Sequence, residues 1–135
     1  MAYFRAVTGS GGSGGEGSDT YVLSSFGHKR TTTVSVMVPS QQFPTSQKTT
    51  NGIKIKTSGT YRYSFFVETS RNSALTGYIY VNGSNRLSTA ATGATIGDTA
   101  HIEGDITLNA NDEITIRASA QNGYQCNGGL VLIKT

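Results

Sequence analysis

Tryptophan is absent, cysteine occurs once and proline twice in a chain of 135 residues. With Cys126 alone, no disulfide can close within the chain, so the fold rests on packing rather than on a covalent framework. The thiol reads as a small buried or half-buried apolar residue. Pro39 and Pro44 bracket a polar connection that holds Phe43, and both argue for edges and turns there. Charge is sparse: charged residues make up 14% and the net charge is +3, with Lys and Arg scattered singly. A nucleic-acid binder concentrates its basic residues on one face or in a run. Here the densest groups are His28-Lys29-Arg30 and the alternating Lys54 and Lys56, which read as solvated surface. No apolar run reaches membrane-spanning length, and residues 1–5 lack the shape of a secretion signal. The expectation is a protein made in the cytoplasm, with no membrane insertion and no nucleic-acid partner.

Catalytic signatures are missing as well. His28 and His101 have no spaced Cys, Asp or Glu partner that would suggest zinc. Neither a G-x-S-x-G elbow nor an H-E-x-x-H pair occurs. Glu103 and Asp105 share one strand face about 7 Å apart, but His101 and Thr107 flank them on a solvated strand. A glycosidase pair sits instead in a cleft lined by aromatics. The expectation is a protein that is not an enzyme and holds neither cofactor nor metal.

What is abundant is glycine, 17 residues, together with Thr, Ser and Asn, the composition of short strands joined by tight turns. No segment has helical period. The chain centres on residues 59–83, GTYRYSFFVETSRNSALTGYIYVNG. Tyr61, Tyr63, Phe65 and Val67 alternate with Thr60, Arg62, Ser64 and Glu68, the period of a half-buried strand, and Phe66 breaks the pattern. After a polar loop at residues 69–73, Leu75, Ile79 and Val81 share a face through Gly77, with Tyr78 and Tyr80 opposite. Asn82-Gly83 marks a tight turn. The stretch reads as an antiparallel strand pair with an aromatic-rich inner face.

Elsewhere, residues 20–26 form a first strand, and residues 32–38 place Val34, Val36 and Val38 on one face. Residues 52–57 alternate Ile53 and Ile55 with Lys54 and Lys56. Residues 86–89 make a short strand and 90–99 a loop. Ile102, Ile106 and Leu108 face inward from residues 100–109, as do Ile114, Ile116 and Ala118 after a turn at 109–112, with Thr115, Arg117 and Ser119 outward. Residues 121–127 form a loop. The last strand, LVLIKT, is almost continuously apolar, which implies burial on both faces. About ten short strands make an all-β, two-sheet sandwich, a jelly roll. Ahead of it, residues 9–17 read GSGGSGGEG, three Gly-X-Gly triplets. This is the composition of a flexible linker, and its period also suits three chains converging on an axis where only glycine fits. The division is a peg and glycine neck at 1–17 and a head at 18–135.

Four landmarks occur in order: Gly59-Thr60-Tyr61-Arg62-Tyr63-Ser64-Phe65; Ile79-Tyr80-Val81-Asn82-Gly83; Ile106 through Ile116 with Leu108-Asn109-Ala110-Asn111-Asp112-Glu113 inside it; and Gly128-Gly129-Leu130-Val131-Leu132-Ile133. Together they resemble the globular head of the C1q and tumour-necrosis-factor (TNF) group across residues 18–135. Asn111 stands where that group has glycine, and Asn is a frequent substitute where φ is positive. The resemblance implies a ten-stranded jelly roll that forms a homotrimer around aromatic and aliphatic side chains. Tyr61, Tyr63, Phe65, Phe66, Tyr78 and Tyr80 are expected to supply that trimer core, because they give apolar surface on both sides of what reads as one sheet.

Heads that resemble C1q occur on bacteriophage virions. The expected function is therefore a virion structural protein, a tail or capsid fibre head made in the host cytoplasm. Tyr3, Phe4 and Val7 would anchor it to other virion proteins. Its partners are further copies of itself and a host-surface glycan. The alternative is a carbohydrate-binding or adhesion module of a bacterial cell or spore surface. In the group's topology alternate connections lie at the end away from the N-terminus, here loops 69–73, 91–99 and 121–127. Arg71, Asn72, Tyr124 and Gln125 are the candidate ligand contacts, since amides and hydroxyls bond sugar hydroxyls and a tyrosine ring packs on a sugar's apolar face.

Overall fold

A computed structural model describes residues 20–28, 32–69, 74–91, 99–120 and 125–135. Ten strands follow in chain order: β1 (Thr20–His28), β2 (Ser35–Val36), β3 (Gln41–Phe43), β4 (Gly52–Lys54), β5 (Gly59–Thr69), β6 (Leu75–Val81), β7 (Ser84–Ala91), β8 (Thr99–Leu108), β9 (Glu113–Ala120) and β10 (Cys126–Lys134). One turn of 3-10 helix lies at Thr45–Gln47. Sheet A runs β3-β1-β10-β5-β8; sheet B runs β2-β9-β6-β7, with β4 pairing β9 beside β2. The pairings between strands are antiparallel. Among the described residues no helix is long and apolar enough to cross a membrane.

The alternation in β5 and β6 is as the sequence implies, but the two strands do not pair. β5 lies between β10 and β8 in sheet A, and β6 between β9 and β7 in sheet B. The chain crosses from one layer to the other between them. The physical reason lies in the apolar faces: Tyr61, Tyr63, Phe65 and Val67 look across the sandwich at Leu75, Ile79 and Val81, and all seven are buried. Gly77 permits the approach, since a Cβ there would stand 2.7 and 2.8 Å from the methyls of Val67. The layers meet in one core with Tyr21, Leu23, Met37, Ile53, Ile55, Ile114, Ile116, Leu130 and Leu132. Its tyrosines keep their polar tips paired. The Tyr61 hydroxyl donates to the Thr57 carbonyl at 2.6 Å, and the Tyr21 hydroxyl accepts from the Lys56 N–H at 2.8 Å.

The valines at 34, 36 and 38 do share a face, and it points outward. Between residues 32 and 38 the core residue is Met37, wholly buried, while Val34 and Val38 are exposed. The valine row faces out because the Met37 N–H bonds the Ile116 carbonyl and fixes the opposite parity. The last strand, by contrast, is central, between β1 and β5. Leu130, Val131 and Leu132 are buried in succession, as its continuous apolar run implies. Asn82 and Gly83 have φ of 52° and 84° in the β6–β7 turn, and Asn111 has φ 72°, the left-handed positions that asparagine tolerates.

Candidate interaction surfaces

The strand register brings together the strand ends that flank the expected loops. Cys126 pairs Thr69, Glu68 pairs Thr99, and Leu75 pairs both Ala91 and Ala120. The connections after β5, β7 and β9 therefore leave the sandwich at one end. Thr20, where the described chain begins, pairs Ile133 at the other end. Arg71, Asn72 and Tyr124 lie outside the described residues, as do Tyr3, Phe4 and Val7. Gln125 is exposed, and its carbonyl accepts from the buried Thr69 hydroxyl at 3.1 Å, which ties the base of the last loop to β5.

The six aromatics expected at a trimer centre divide into two groups. Tyr61, Tyr63 and Phe65 are 0%, 4% and 0% exposed within a single chain. They fill the core between the sheets and have no area left for a neighbouring subunit, so they cannot form the trimer core. Burial raises the pKa of the Tyr63 hydroxyl; Arg62 opposes that rise and Asp105 adds to it. Phe66, Tyr78 and Tyr80 are half-buried on outward faces, Phe66 on sheet A and the tyrosines on sheet B.

The outer face of sheet A is apolar over its first strands and charged over its last. Phe43, Val22 and Val131 stand side by side in register, with Ser64 and Glu103 continuing the row. Phe43 is 48% and Phe26 65% exposed, while Val22 and Ile133 are half-buried. Phe66 lies over its partner Gly129, where a Cβ would come within 2.6 Å of the ring. Toward β8 the charges meet one another. Arg62 reaches Glu103 at 3.6 Å and Asp105 at 3.7 Å. The His101 Nε2 atom lies 3.5 Å from Glu103 and 3.2 Å from the Ser64 hydroxyl. Glu103 and Asp105 thus share an arginine on an open face.

The outer face of sheet B is different. Val36, Arg117, Tyr78 and Ser88 form one row, and Thr115, Tyr80 and Asn85 the next. Arg117 reaches diagonally, its guanidinium carbon 4.0 Å from the centroid of the Tyr80 ring. Tyr78 meets Tyr80 edge-on at 6.2 Å. Among the described residues the Thr115 hydroxyl and the Arg117 Nε have no hydrogen-bond partner, and both are buried. In the sequence Arg117 stands on the outward side of its strand with no sign of a role. Alternation alone gives its side of the strand; the β9–β6 register, which sets it against the tyrosines, joins segments far apart in the chain. Cys126 is buried, and burial pushes its thiol up to about 11.

The edges of the two sheets are laced together. A shifted register after Ile79 leaves Arg86 as the extra residue of β7, and it donates to the Thr107 carbonyl of β8 at 3.1 Å. The Thr89 hydroxyl similarly reaches the His101 carbonyl at 3.3 Å. Such side-chain cover blunts an edge strand. Among the described residues no group of three His, Cys, Asp or Glu side chains is arranged to hold a metal ion.

No protein-family model matches the sequence, and no curated protein matches it. Solved structures do match the fold. The globular domain of zebrafish complement 1qA superposes with a TM-score of 0.65 at 10% identity, covering 86% of this chain and 96% of that one. Murine APRIL gives 0.62 at 13% identity over 86% and 99% of the two chains. Eiger TNF from S. frugiperda gives 0.56 at 13% over 84% and 92%. The chain therefore has the C1q- and TNF-like fold, an all-β jelly roll of ten strands in two antiparallel sheets.

Proposed function

We propose that this chain is the non-enzymatic head of a bacteriophage virion protein, a homotrimer attached through residues 1–17 that presents its loops to a host-surface glycan. The observation that carries the self-association is the outer face of sheet A, where Val22, Phe26, Phe43, Phe66 and Ile133 keep apolar surface in one chain. A contiguous apolar face of this kind marks an interaction site. Three copies around an axis cover it by a closed symmetry, and the resemblance to the C1q and TNF group implies that number. The chain's polarity supports the attachment reading: Thr20 leaves at one end of the sandwich and the three loops at the other. The virion setting rests on the sequence pattern of apolar peg, glycine triplets and head. Repetition around the axis would raise a weak single-site glycan affinity by avidity.

The test has two arms. Protein lacking residues 1–17 should fold and assemble yet fail to enter particles; normal incorporation would reduce the peg to a leader. Arg71, Tyr124 and Gln125 changed together to Ala should abolish attachment to host cells. Unchanged attachment by an intact trimer would remove the loops from that role. Attachment to wall glycan by a protein found in no particle would favour a bacterial surface module instead.

A further inference from the structure

Among the described arginines, Arg62 has Glu103 and Asp105, and Arg86 has the Thr107 carbonyl. Arg117 has no ion pair or hydrogen bond among the described residues; its guanidinium rests on Tyr80. Its Nε and the neighbouring Thr115 hydroxyl are buried and unsatisfied. Leaving such donors without acceptors is costly, and valine would fill the threonine's volume without that cost. A half-buried cation with no counter-charge, held in place by an aromatic ring, is complementary to a single anionic group. A guanidinium fork fits a carboxylate with two parallel hydrogen bonds. The surroundings specify what carries that carboxylate. Tyr78 and Tyr80 offer aromatic surface. Thr76, Ser88, Ser119 and Asn85, on the same outward side, ring the patch with small hydroxyls and an amide, groups that pair with sugar hydroxyls.

We propose that the outer face of sheet B is a subsite for an acidic sugar, a pyranose bearing a carboxylate, with Arg117 taking the carboxylate and Tyr78 and Tyr80 packing on the sugar's apolar face. Uronic and sialic acids share this chemistry. The subsite is distinct from the loops at the strand ends, and it rests on the glycan-contact reading only for its use.

The experiment titrates the full isotope-labelled chain with tetragalacturonate and with sialyllactose. Their uncharged counterparts, the methyl esters of the tetramer and of sialyllactose, serve as controls, with oligoglutamate as a protein-like acid. At least one acidic sugar should shift the Arg117 Nε–H signal and the amides of β6 and β9 saturably. Its uncharged counterpart should bind about tenfold or more weakly, as should the Arg117→Ala chain. Arg117→Lys, which keeps the charge and loses the fork, should fall between. The acid-against-ester comparison uses the unaltered chain, so the result stands even if a variant does not fold. No saturable shift from either acidic sugar, or equal shifts from the uncharged forms, would overturn the proposal. Oligoglutamate binding as tightly as the sugars would also overturn it, making the face a contact for an acidic protein. Host attachment that fails in the Arg71, Tyr124 and Gln125 variant but survives Arg117→Ala would separate the loops' role from this subsite.

Discussion

The two outer faces of the sandwich are built on the same core, yet they end in opposite electrostatic states. On sheet A the charges are mutually engaged: Arg62 serves two carboxylates, and His101 lies between Glu103 and Ser64. The surface that stays open there is apolar: Phe26 and Phe43 are exposed, and Val22, Phe66 and Ile133 are half-buried. On sheet B the aromatic surface is occupied by a cation, and the unsatisfied element is polar, Arg117 and Thr115. A face with surplus apolar area and neutralised charge suits another copy of the same chain. A face with a lone guanidinium over tyrosine suits a foreign anion.

The comparison breaks completely if the shared core breaks. Phe65, fully buried between the sheets, should cost about 3–5 kcal/mol when changed to Ala, and denaturant melts would register the loss. A change under about 1 kcal/mol would contradict its inward placement. Two glycines then separate the inside from the outside. Gly77→Ala forces a methyl against Val67 and Phe65 and should cost about 1–3 kcal/mol. Gly129→Ala meets the half-buried Phe66 ring first, on the outer face and not in the core, so it should cost less. Equal losses from the two would mean that Phe66 is as confined as the core.

Titration adds a check on the interior beneath the loop end. Burial raises the Cys126 thiol from 9.0 to about 11. The folded state therefore holds its proton through a range in which the unfolded chain releases it. Stability is fully present below about pH 9 and falls as pH rises toward 11, by on the order of 2 kcal/mol. Cys126→Ala should flatten the part of the slope that belongs to the thiol; an unchanged slope in paired melts would assign it to the Tyr63 hydroxyl, whose pKa burial also raises. The smallest effects are on the surface charges, where the two faces should differ in sign. Arg62→Ala should lose under about 1 kcal/mol with its exposed partners. Arg117→Met, which removes a half-buried cation that has no counter-charge among the described residues, should cost nothing or stabilise slightly. A loss above about 1 kcal/mol in chemical denaturation would show that Arg117 is structurally paired.

The local geometry was legible in the sequence. Period-two alternation gave the inward faces of β5, β6, β8 and β9. Asn82-Gly83 and Asn111 marked positive φ, and the run at 130–133 marked a central strand. These signals are short-range, a matter of side-chain parity and backbone sterics. The partnering of strands was not legible. β5 and β6 are adjacent in the chain and yet in different sheets, because apolar faces can be buried by crossing the sandwich as well as by lying side by side. That error put three core aromatics at a subunit interface. Alternation puts the valines at 34, 36 and 38 on one face without saying which way it points; the bond from Met37 to Ile116 turns that face outward. Val22, Phe43 and Ile133 each looked unremarkable alone. They form a surface only when β3, β1 and β10 come into register.

The central claim is that the apolar outer face of sheet A is where copies of this chain meet. Light scattering on the unaltered protein, beside a chain carrying Val22→Asp and Ile133→Asp, tests it most directly. Both positions face outward, so the altered chain should keep its circular dichroism. The account predicts three times 14.2 kDa for the unaltered protein at micromolar concentration and a folded particle of 14.2 kDa for the altered one. A clean monomer from the unaltered chain, or a trimer that survives both aspartates, would contradict it.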